Sequence, residues 1–319
     1  LGATGGQLVL SSGSSETGTS GNVDVSTGKD SVDSGSINIQ SGTSSGGSSG
    51  TVMLESGSAL GGSSGSIQVR TGQTAAQGTQ GSISLSIGES TSPLGGSITL
   101  NSGTSNSEGQ SGGDINIITK STNMPTQESG SILLATGTSE TGNSGDLTMN
   151  TGNSKESSGS IVAKAGSSSV GEGGSVIFSA GDSVGSTGGS VILRGGISNL
   201  GTSGNVDILT PNTQGETKSG QITLSTGRSS GGASGNVVVA SGSSQESSGS
   251  IILETGESIS TTSSASDTTA IQITAGDSSS SQGGNINILA GNSIGVSEAS
   301  KGGDVRMASG MSVGATILY

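Results

Sequence analysis

Gly65-Ser-Ile-Gln-Val-Arg-Thr-Gly72 is the stretch on which the reading of this chain turns. Two aliphatic side chains alternate with polar ones between a leading and a closing glycine, and the same phrase returns twenty times at a spacing close to 15 residues. A short period that fills a whole chain signals an array or solenoid, and it outranks any local reading. With the leading glycine as position 1, position 3 is aliphatic and position 5 apolar in all twenty repeats. Thr269 is the one repeat start that is not glycine. Position 7 is mostly small, Thr, Ser or Ala, and position 8 is glycine except at Lys120 and Pro211. Period-two alternation over a short segment predicts a half-buried strand, and glycine at both ends suits a backbone that bends sharply there.

Odd and even repeats differ, which sets the expected size of one coil. Position 3 is Ile in eight of ten odd repeats and Val in six of ten even ones. Position 2 is Asn or Asp in six even repeats (Asn22, Asp114, Asp146, Asn205, Asn236, Asp304) and in one odd repeat, Asn285. The three shortest repeats, from Gly21, Gly145 and Gly235, are all even. The expected fold is therefore all-β: a parallel β-solenoid with two repeats per coil of about 30 residues and two facing sheets. Its core ladder comprises Ile37, Ile39, Ile67, Val69, Ile98, Leu100, Ile132, Leu134, Val191, Leu193, Ile222, Leu224, Ile251 and Leu253. One repetitive domain covers 1–319, read as a segment of a longer chain or a filament subunit, with 311–319 departing from the repeat as a terminal cap.

Composition alone argues otherwise. With 62 Gly, 10% charged and 1% aromatic residues, the chain has the make-up of a flexible linker or low-complexity tract. The forty ordered apolar positions weigh against that reading, because a linker scatters its apolar residues.

Charge and residue inventory narrow the function. A net charge of −13 disfavours nucleic acid and anionic membranes as partners, and no apolar run is long enough to insert in a membrane. There is no His and no Cys, which removes the usual catalytic bases, nucleophiles and zinc ligands. The outward carboxylates Asp24 and Asp207 are too far apart in sequence to share a substrate bond, so no catalysis and no cofactor is expected. Asp114 and Asp146 fall in neighbouring coils, but calcium solenoids need stacked aspartates, and Asx residues at strand entries more commonly cap turns. No metal site is expected. Outward rows interrupted by Arg70, Lys164 and Arg194 do not form the Thr lattice that orders ice.

One outward row stands apart. Leu133, Val162, Ile192, Thr223 and Ile252 occupy position 4 of five successive odd repeats and would stack as an apolar stripe, a candidate lateral interface. Repeats such as Gly65–Gly72 and Gly220-Gln-Ile-Thr-Leu-Ser-Thr-Gly227 resemble the Gly/Ser/Thr-rich β-solenoid repeats of large secreted or cell-surface proteins, including algal and bacterial adhesin-like ones. The resemblance implies an extracellular or cell-surface structural or adhesive role and transfers no binding residue. The expected function is an extracellular fibre or surface scaffold that associates with itself end to end or laterally. The alternative is a binding module for ice, carbohydrate or another surface, using one flat solenoid face.

Overall fold

The computed structural model describes residues 5–75, 78–91, 94–107, 110–121, 128–213, 218–257, 270–279, 282–294 and 300–310. The repeat start Thr269 and the expected cap at 311–319 lie outside them. Two units divide the chain, Leu1–Thr151 and Gly152–Tyr319, and the same repeat runs through each.

Among the described residues there is no strand and no helix, which overturns the expected parallel β-solenoid and, with it, the resemblance to β-solenoid repeat proteins. A strand requires a neighbour about 4.8 Å away along its whole length. Each apolar segment here contributes only two inward side chains. Fixing each backbone residue costs about 1–2 kcal/mol, and glycine loses more freedom than any other residue. The apolar pattern supplies strand character without a partner to pair with. No described residue is buried.

What the repeats form instead is a series of loops closed on themselves. The N–H of the leading glycine donates to the carbonyl of the preceding repeat's closing glycine in seven junctions. The pairs are Gly21 to Gly13 at 3.3 Å, and Gly113 to Gly103, Gly174 to Gly166, Gly189 to Gly181, Gly204 to Gly196, Gly284 to Gly276 and Gly303 to Gly291, each at 2.9 Å. Closure tolerates different loop lengths, since seven residues intervene between Gly166 and Gly174 and eleven between Gly291 and Gly303.

A second bond shapes the loop interior. The hydroxyl oxygen two residues past the closing glycine accepts from the N–H three residues further on: Ser15 from Gly18, Ser44 from Gly47, Ser139 from Gly142, Ser168 from Gly171, Ser183 from Ser186, Ser198 from Gly201 and Ser229 from Gly232, at 2.9–3.1 Å. Such side-chain turns are what Ser offers in place of regular structure. All seven fall in repeats of 15 residues. In the 15-residue repeat from Gly50 the corresponding residue is Ala59, which has no hydroxyl to offer.

Candidate functional site

In nine repeats the best-covered point is position 7. Nine described residues are partly covered rather than exposed, and all nine are at that position: Ser12, Ser41, Thr119, Ala165, Ala180, Gly195, Thr210, Ala275 and Ala290. They sit under the junction where the next repeat begins. A Cβ added at Gly174 would lie 3.1 Å from Ala165 Cβ, one at Gly189 3.2 Å from Ala180 Cβ, and one at Gly284 3.1 Å from Ala275 Cβ. A methyl on the leading glycine would thus be tight against the residue beneath it, and none of these three glycines has a positive φ.

Closure follows the residue at position 7 at the extremes of size, and Ser there occurs both in closed junctions (Ser12, Ser102) and in open ones (Ser41, Ser56, Ser241). All five junctions that follow Ala or Gly there are closed at 2.9 Å, those at Gly174, Gly189, Gly204, Gly284 and Gly303. Thr holds the junction apart: a Cβ at Gly35 would meet Thr27 Cγ2 at 3.3 Å, one at Gly220 would meet Thr210 Cγ2 at 3.2 Å, and neither glycine makes the closing bond. At Gly195 the constraint reverses, because a Cβ on position 7 itself would collide with the Gly204 carbonyl.

The core-ladder residues remain exposed. Ile37, Ile67, Ile98, Ile132, Val191, Ile222 and Ile251, at position 3, keep 50–57% of their surface accessible. Ile39, Val69, Leu100, Leu134, Leu193, Leu224 and Leu253, at position 5, keep 61–77%. Position 3 is the more sheltered of the pair in each of these seven repeats, as an inward position would be, but no opposing sheet covers it. Leu133, Val162, Ile192, Thr223 and Ile252 are all exposed, and among the described residues no ladder sets them in register.

A fibre, a surface scaffold, or a flat face for ice or carbohydrate of the kind expected needs regular secondary structure. With none among the described residues, those expected roles have no surface to act through. Among the described residues no group of three or more acidic side chains is placed to hold a metal ion. Asp304 faces Arg306, whose guanidinium donates to its carboxylate at 3.0 Å with both side chains largely exposed, an arrangement worth little in stability. No described helix is long and apolar enough to cross a membrane.

One concave site does gather polar groups. In the unit Leu1–Thr151, a cavity of about 720 Å³ is lined by Arg70, Thr71, Gln73, Gln80 and Lys120 together with the apolar Val69 and Ile83. No carboxylate lines it. Neither Arg70 nor Lys120 has an ion-pair partner among the described residues. The sequence marks Lys120 as one of two departures from the closing glycine, but nothing in the spacing brings it towards Arg70, Gln73 and Gln80.

No protein family, no curated protein and no solved structure matches this chain.

Proposed function

We propose that this chain is a non-catalytic, hydrated spacer whose length is stored in small, independently closed loops. The observation that carries this reading is the junction bond. Seven glycine-to-glycine closures each join a repeat to the next one only, so each loop is held by its own contact. A solvent-exposed backbone hydrogen bond contributes about 0.5–1.5 kcal/mol net, so individual loops open and reclose under thermal agitation. Opening a loop of seven intervening residues frees about 25 Å of extended backbone.

The non-catalytic part rests on a sequence with neither His nor Cys. The net charge of −13 keeps the exposed aliphatic residues in solution through self-repulsion and gives no attraction for nucleic acid. We place the spacer outside the cell or at its surface, where a chain without cysteine is indifferent to oxidising conditions.

Stretching the full chain from its two ends in an optical trap tests the proposal. The expected record is a series of small, reversible lengthenings at low force. A single abrupt event releasing most of the chain would contradict it, because that requires a cooperative sheet.

A further inference from the structure

We propose that the cavity around Arg70 and Lys120 is an anion site that takes a small phosphate or sulfate monoester. The argument begins with scarcity. The whole chain has ten Lys and Arg against 23 Asp and Glu, yet two of the ten share a cavity lined by no carboxylate. Ion pairing is rare among the described residues, where Arg306 alone has an acidic partner. These two have none among the described residues.

Lys120 adds an independent reason. It stands at position 8, where eighteen of twenty repeats have the closing glycine, so the repeat's own rule is broken at the residue that completes this cavity. Departures from an otherwise regular pattern are expected at functional or strained sites.

The chemistry of the lining fits one class of ligand. Arginine presents a planar fork of N–H donors that matches two oxygens of a tetrahedral anion, and lysine supplies a compact charge for a third. The amide groups of Gln73 and Gln80 and the Thr71 hydroxyl add neutral donors. A cavity of about 720 Å³ is larger than a bare ion requires and falls in the range of small-molecule sites. Val69 and Ile83 give the body of an ester an apolar surface to rest on. The electrostatic part is exposed to solvent and is screened beyond about 10 Å at 0.1 M salt, so binding weakens as salt rises.

The test is an NMR titration of the full chain with glucose 6-phosphate, glucose 6-sulfate, inorganic phosphate, inorganic sulfate and glucose. Saturable shifts at Arg70 and around Lys120 with the anions, and none with glucose, are expected. Tighter binding of the esters than of the inorganic ions identifies the ester as ligand; equal binding identifies the free anion, which overturns the monoester assignment. Arg70→Gln and Lys120→Gly should each weaken binding at least tenfold. Lys120→Gly restores the residue that other repeats carry, so the local backbone accommodates it. Arg194→Gln, at the same repeat position as Arg70 in another repeat, should leave binding unchanged. No saturable shift, or equal weakening in all three variants, would overturn the site.

Discussion

The junctions at Gly189 and Gly96 have the same Gly-Gly sequence and opposite outcomes. Gly188-Gly189 follows Ala180 and closes, with the Gly189 N–H donating to Gly181 at 2.9 Å. Gly95-Gly96 follows Ile87, and a Cβ at Gly96 would meet Ile87 Cγ2 at 2.8 Å; the leading glycine makes no closing bond. The branched side chain occupies the space that the approaching backbone needs. Five of the seven closures fall in Gly152–Tyr319, and every Ala or Gly at position 7 is there as well. The lesson is that Ala or Gly at position 7 goes with a shut loop and Thr or Ile with an open one, while Ser occurs with both and the apolar pair at positions 3 and 5 is common to all.

Exchanging the two residues should exchange the outcomes. Ala180→Ile is expected to break the Gly189 closure and Ile87→Ala to create one at Gly96, each changing protection of the corresponding amide by about fivefold, the equivalent of roughly 1 kcal/mol. The temperature dependence of the two glycine amide shifts by NMR reads both. Unchanged amides in both variants would remove position 7 from the account.

A smaller effect is expected from Gly174→Ala. The new methyl would sit 3.1 Å from Ala165 Cβ, which a shift of a few tenths of an ångström relieves, so the closure at Gly166 should weaken without being lost. The smallest concerns the serine turn. Ser168→Ala removes the acceptor of the Gly171 N–H and should loosen that loop by about 0.5 kcal/mol, leaving the Gly174 closure in place. Ala59→Ser is its counterpart and should add a turn to Gly62. Amide shifts at Gly171 and Gly62 report the two changes.

Much of this local order was legible in the sequence, and the pairing between repeats was not. Fifteen-residue spacing, the leading and closing glycines and the small residue at position 7 correspond directly to the junction and the point beneath it. Alternation at Ile67 and Val69 predicts a strand because the period-two pattern carries strand character whether or not a neighbour exists. Pairing depends on the balance between backbone entropy and the area two side chains can bury, and periodicity carries no information on that balance. For the cavity, Lys120 was visible as an exception to the glycine rule. Its meeting with Arg70, whose repeat starts 48 residues earlier, depends on the path of the intervening loops.

Site-resolved amide hydrogen exchange on the full chain tests the central claim, local loop closure without a sheet, most directly. The account predicts modest protection confined to the leading-glycine amides, Gly113, Gly174, Gly189, Gly204, Gly284 and Gly303 above all, with the apolar segments exchanging freely. Strong, alternating protection along the apolar segments of successive repeats would reveal a continuous ladder and contradict it.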